Sequence, residues 1–182
     1  MKLEIDLDRI KELAQEKEGE NQAFRAHIKH CSIAPDEIDA VVHRLWGVVS
    51  SKIDCRTCAN CCRELSPALN RKDVARLAQA AAITPDALAE TYLKETEEKG
   101  KFVPNQKPCP FLTGKLCRYY ESRPESCVEF PFLHKQDFVT RSIMALWNLP
   151  HCPIVYNVYE LLKQEVEELE MLRRDAKEED LE

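Results

Sequence analysis

Four cysteines within eight residues, Cys55, Cys58, Cys61 and Cys62, make the pattern C-x2-C-x2-C-C. A two-residue spacing lets consecutive thiolates wrap one ion or cluster, because the intervening turn brings their sulfurs inward together. A disulfide framework would scatter its cysteines over a loop-rich scaffold instead. Four more cysteines follow at Cys109, Cys117, Cys127 and Cys152, and Cys31 stands apart near the N-terminus. The eight grouped cysteines are therefore the candidate metal ligands. Cys61 and Cys62 are adjacent, so their side chains are expected to diverge. They then serve different sites, or one of them stands outside the coordination sphere.

A chain of 182 residues is long enough to bury its own core without disulfides. Its start, MKLEIDLDRIKELAQEKE, has no continuous apolar segment of the secretory type. No stretch approaches the ~20 apolar residues of a membrane span. The expectation is a soluble cytoplasmic protein with no membrane partner. In that reducing compartment clustered cysteines are more often metal ligands or redox groups than disulfides. A formal charge of −6 offers no global attraction to nucleic acid. The four glycines, Gly19, Gly47, Gly100 and Gly114, build no G-x-G-x-x-G or Walker-type loop. No nucleophile–base arrangement argues independently for catalysis, and enzymatic activity is left open.

The predicted fold class is mostly α: a helical domain with an irregular cysteine-rich metal-binding centre and a long C-terminal helix. Three zones divide it, residues 1–53, 54–153 and 154–182, within one compact domain. In the first, Leu7, Ile10 and Leu13 make a helical stripe, and Phe24, Ile28 and Cys31 make a second. Pro35 opens a third helix whose apolar face is Ile38, Val41, Val42, Leu45 and Val49. In the middle zone Asn70 and Thr84 are helix starts, and helix is expected from about 71 to a glycine stop at Gly100. Residues 101–153 predict turns, brief helices and a hairpin at Thr113-Gly114. The last zone is one helix with Val155, Val158, Leu162, Val166, Leu169 and Leu172 inward, and its tail DAKEEDLE is expected to fray.

The second cysteine group reads CPFLTGKLCRYYESRPESCVEFPF, with His151-Cys152-Pro153 further on. Together with C-x2-C-x2-C-C this resembles the YkgJ-like cysteine-cluster family, named for a CxxCxxCC zinc- or iron-chelating domain, over about residues 54–155. The resemblance implies metal chelation by Cys55, Cys58, Cys61, Cys62, Cys109, Cys117, Cys127 and Cys152. It also implies a supporting role beside the thiolates for Arg123, fixed next to Pro124 in the motif. Flagellin lysine N-methylases share the cysteine domain, so a methyltransferase-related enzyme is an alternative, although no S-adenosylmethionine-binding segment is visible. Tyr119, Tyr120, Phe130, Phe132 and Trp147 are expected to cover the metal region from water.

Spacing bears on the metal. Structural zinc sites with four cysteines commonly use two short-spaced pairs. Here the second half has no CxxC, its gaps being seven, nine and 24 residues. The run C-x2-C-x2-C with remote cysteines before proline (Cys109-Pro110, Cys152-Pro153) is closer to ferredoxin-type ligation. An iron–sulfur cluster is placed ahead of zinc, and the allocation of cysteines between sites stays open. The expected role is redox or metal handling. The rival is a zinc-stabilised module whose terminal helices bind a protein partner. Cys31, three residues after Ile28 on an apolar face, reads as a core cysteine. Metal analysis should therefore find less metal per chain in Cys58→Ser and unchanged metal in Cys31→Ser. Equal losses would place Cys31 with the ligands.

Overall fold

The computed structural model describes residues 2–179. In chain order the helices are α1 (Leu7–Glu16), α2 (Glu18–His27), α3 (Pro35–Ser50), α4 (Cys55–Cys58), α5 (Asn60–Glu64), α6 (Arg71–Ala81), α7 (Pro85–Tyr92), α8 (Glu125–Glu129), α9 (Phe138–Asn148) and α10 (Pro153–Glu179). Five short strands, β1 (Leu69–Asn70), β2 (Leu93–Glu95), β3 (Lys101–Pro104), β4 (Leu112–Thr113) and β5 (Leu116–Cys117), lie in the middle. The chain is mostly helical and ends in its longest helix. It divides into two units, one of residues 1–53 with 131–182 and the other of residues 54–130.

In the first unit α10 packs on α3, α1 and α9. Ile10, Ile38, Val42, Leu45 and Val49 meet Val155, Val158, Leu162 and Val166, all buried. Each such side chain contributes roughly 1.5–3 kcal/mol on burial, so this seam holds the unit. Tyr159 lies fully inside it; its hydroxyl donates to the Asn21 carbonyl at 3.1 Å and Phe24 meets its ring edge-on. The Asn157 amide pairs with both backbone groups of Glu4, at 2.9 and 2.7 Å, and ties down the N-terminal segment.

Helix α9 interrupts a stretch expected to hold only turns and brief helices. Its preceding residue, Asp137, is left-handed (φ 61°) and supplies no side-chain cap. The cap comes from α3: buried Asp39 accepts from the backbone N–H groups of Asp137 and Phe138, each at 2.8 Å. Arg141 then donates to the carbonyls of Phe132, Lys135 and Gln136, closing the loop before the helix. Trp147, expected as packed cover, sits on α9 and is 63% exposed. Leu172, expected to face inward from α10, is 65% exposed. Cys31 is half-buried rather than core. The helix continues to Glu179, and residues 180–182 of the tail expected to fray lie outside the described ones. No helix among the described residues is long and apolar enough to cross a membrane.

In the second unit β1, β3 and β2 form an antiparallel sheet in that order. Asn70 caps α6 in a reciprocal box with Asp73, and Thr84 caps α7. Helix does not reach Gly100. It stops at Tyr92, and Leu93 turns extended to pair with Pro104. Gly100, at φ 80°, lies in the β2–β3 turn. The residues 93–95 face strand partners there, and cross-strand pairing replaces the last helical turns. Leu69, Val74, Leu77, Ala78, Leu88, Leu93 and Phe111 form the core, with Cys109 and Cys117 packed against it.

Removing the Asp39 carboxylate leaves two helix-start N–H groups without their acceptor, at a cost of about 1–3 kcal/mol for each group that stays buried. Asp39→Ala should therefore lower the thermal midpoint clearly, and Asp39→Asn, which keeps one acceptor, should lower it less. Circular dichroism melts would show it, and an unchanged midpoint would contradict the tertiary cap.

Candidate metal centre

The first cysteine segment is built as two short helical turns around one left-handed residue. Asp54 caps α4 through the Arg56 N–H at 2.9 Å and is clamped by the Arg56 guanidinium. Cys55 and Cys58 open and close α4, three residues apart and hence on one face. Ala59 then adopts φ 55° with its methyl buried, a conformation that costs an L-residue roughly 1–2 kcal/mol. This reversal starts α5, which carries Cys61 and Cys62. Arg63 fixes the turn by donating to the Cys58 carbonyl at 3.1 Å and the Gly114 carbonyl at 3.3 Å.

The second segment is tied directly to the first. The Cys109 N–H donates to the Cys62 carbonyl at 2.8 Å, and Lys107 Nζ reaches the Glu64 carbonyl at 2.6 Å. The chain then curls so that the N–H groups of Phe111 and Leu112 point at the Cys109 sulfur. The β4–β5 hairpin turns at Gly114 (φ 62°) and pairs Cys117 with Leu112. The Tyr119 N–H supports the Cys117 sulfur in the same manner. Cys127 rides on α8, whose start is anchored by buried Asp73: this carboxylate accepts from the Glu125 N–H at 3.0 Å while Ser126 Oγ donates to the Ala68 carbonyl at 2.7 Å. Arg76 completes the frame, reaching Asp73 at 2.6 Å and the Arg123 carbonyl at 2.7 Å.

These contacts place four thiols within electrostatic reach of one another. Cys127 senses Cys62, Cys109 and Cys117; Cys109 senses Cys62 and Cys117; Cys117 senses Cys62. All pairs among Cys62, Cys109, Cys117 and Cys127 are thus represented. Burial, then these neighbouring charges, push the Cys127 thiol up to about 12. Cys109 and Cys117 are raised chiefly by burial, against the N–H groups aimed at their sulfurs. Cys62 goes the other way, to about 7, because the Cys61 thiol hydrogen-bonds to it and the Arg123 and Arg63 charges reinforce that effect against burial. The two adjacent side chains therefore meet instead of diverging; neighbours on a helical turn need not point to opposite sides as strand neighbours do.

Arg123 lies at the junction. Its charge bears on Cys55, Cys62, Cys117 and Cys127, its guanidinium carbon lies 3.4 Å from the centre of the Tyr120 ring, and its Nε is buried with no partner. Cys55 senses the charge of Cys58. Its residue is exposed, although surrounding protein still desolvates the thiol and raises it. Cys152 belongs to the helical unit, buried just before α10. Among the described residues, no three His, Cys, Asp or Glu side chains already stand in a metal-holding arrangement. The donor set nonetheless suits a thiophilic metal: four soft sulfurs, each beside an N–H, thiol or guanidinium that favours its anion. Sequence reading missed Asp73 and Arg63 as members of this frame. The Asn70-to-Asp73 box announced the first, whereas nothing local announces the second.

This is the cysteine pattern of a chelating protein. Over residues 54–153 the chain matches the family CxxCxxCC, described as "Putative zinc- or iron-chelating domain". More than half of the chain is covered, and it belongs to that family. Neither the curated proteins nor the solved structures searched contain a match.

The raised thiols carry a pH consequence for the metal-free chain. A thiol raised on folding keeps its proton where the unfolded chain has lost it, so stability falls as pH rises through that window. Cys55, Cys109, Cys117 and Cys127 all act in this sense, up to about 12 for Cys127. Cys62 acts oppositely, and its contribution fades as pH falls through about 7. Denaturant titrations of metal-free protein should show stability declining above the ordinary thiol range, with a shallower decline in Cys127→Ala. An identical slope in the variant would remove Cys127 as the cause.

Proposed function

We propose that residues 54–130 hold a thiolate-ligated metal centre whose inner ligands are Cys62, Cys109, Cys117 and Cys127, and that the protein serves redox chemistry or metal handling through it. The observation that carries this reading is the complete set of mutual interactions among those four thiols, each with its own source of anion stabilisation. Isolated core cysteines would gain nothing from such neighbours. A bound cation offsets the repulsion among ionised thiols and draws their protons off, so binding and deprotonation proceed together. Arg123 lowers the remaining negative charge and, through its buried Nε, offers a donor to a ligand sulfur.

An iron–sulfur cluster is the first occupant proposed, on the ferredoxin-like C-x2-C-x2-C run and the cysteines followed by proline. Such a cluster would supply a reversible one-electron couple, while the protein's N–H groups at Cys109 and Cys117 would set its potential. Zinc is the second reading, favoured by one observation: the inner thiols number four, enough to close a tetrahedron without further ligands.

Protein produced in cells competent for cluster assembly, and purified without oxygen, should be brown and contain iron with labile sulfide. Dithionite should diminish its visible absorption, which arises from sulfide-to-iron charge transfer. Colourless protein with stoichiometric zinc from the same preparation would replace the cluster by zinc. Protein holding neither metal would sink the thiolate-centre reading itself.

A further inference from the structure

A cleft of about 320 Å³ in the second unit has no cysteine in its lining and carries charge of both signs. Lys72 and Arg76 line it from α6, Glu121 from the single 3-10 turn Tyr120–Ser122, Glu125 and Val128 from α8, and Arg123 from between these last two elements. The frame beneath is fixed by backbone and buried groups. Asp73 receives the Arg76 guanidinium at 2.6 Å and the Glu125 N–H at 3.0 Å, while Arg76 also reaches the Arg123 carbonyl at 2.7 Å. Both Arg76 contacts use one guanidinium nitrogen, Nη2, and leave the others for a ligand. Arg123 is held flat against the Tyr120 ring, 3.4 Å from its centre.

The charges on this frame do not neutralise one another. Among the described residues, no ion pair joins Lys72, Arg76 or Arg123 to Glu121 or Glu125, although all five line the same cleft. Such a lining selects by sign. An anion would be drawn to the three cations and repelled by two carboxylates, and a simple cation would meet the reverse. A ligand with both charges on one short skeleton satisfies both sets. The volume lies at the small end of the range for ligand pockets, and Val128, 59% exposed, adds an apolar wall.

We propose that this cleft binds a small zwitterion of the α-amino acid class, its carboxylate held by Lys72 and Arg76, its ammonium by Glu121 and Glu125, and a short aliphatic side chain against Val128. The inference needs no metal and stands independently of the thiolate centre. No bond is made or broken; recognition is by charge-assisted hydrogen bonds. Because Lys72, Glu121 and Glu125 are exposed, each contact is weak by itself, and an affinity on the order of 1 mM is expected.

Isothermal titration calorimetry of the full chain, purified without oxygen and kept at low ionic strength, should detect binding of L-valine. L-Valinamide lacks the carboxylate and isovalerate lacks the ammonium, so each should bind about tenfold more weakly, repelled by the like charges it can no longer balance. Lys72→Gln and Glu121→Gln should each weaken L-valine binding roughly two- to fivefold, whereas Lys94→Gln on β2, outside the cleft, should not. Lys72 and Glu121 are exposed and engage no other side chain, so both variants should keep the wild-type circular dichroism melt. Isovalerate binding as tightly as L-valine would make this an anion site and overturn the proposal, and equal binding of L-valinamide would overturn it from the other side. Absence of L-valine binding at millimolar concentration, or binding indifferent to both cleft variants, would overturn the site itself.

Discussion

Four thiols within electrostatic reach of each other are stable neighbours only while most of them keep their protons. That repulsion is the constraint around which the second unit is organised. Burial and mutual charge hold Cys127 up to about 12, while a hydrogen bond and two arginines bring Cys62 down to about 7. The group is thereby split into thiols that resist ionisation and one that accepts it. In the proposed centre a bound cation would reverse that balance, because it would compensate charges that the protein alone compensates only in part.

The remaining architecture holds these sulfurs near each other without closing them into a cage. Backbone bonds do most of this: Cys109 to Cys62, Arg63 to the carbonyls of Cys58 and Gly114, Arg76 to the carbonyl of Arg123. Asp73 is the one buried carboxylate in the frame. It caps its own helix and also receives the first N–H of α8, so α6 and the Cys127 helix share a single acceptor. A salt-bridge account of this residue would miss the point, since its partner Arg76 is substantially exposed and an exposed ion pair is worth little by itself. The contribution lies in satisfying N–H groups that burial has cut off from water.

Family membership and structure speak to different levels of the question. Membership in the zinc- or iron-chelating family rests on the order and spacing of cysteines from 54 to 153. The contacts distinguish thiols within that pattern: Cys109, Cys117 and Cys127, which interact with Cys62; Cys61, whose thiol hydrogen-bonds to Cys62; Cys55 and Cys58 on the turn of α4; and Cys152 in the helical unit. Spacing treats the eight alike. Proximity does not.

Local chemistry wrote much of the fold into the sequence. Asn70 with Asp73, Thr84 before Pro85, and Pro35 with its apolar face each act within one turn of chain, so the helices they start were legible. The hairpin at Gly114 was legible for the same reason. What depended on distant partners was not. Helix α9 takes its cap from Asp39, about a hundred residues away, and the end of α7 is decided by strand pairing with β3. Trp147 had an aromatic's usual claim to burial, but the packing of α9 on α2, α3 and α10 leaves it outward. The sequence determined the spacing of the cysteines and the helical character of the chain, because motif spacing and periodicity are local properties. Only the tertiary structure decided which sulfurs face each other, because electrostatic reach depends on separation through space and not along the chain.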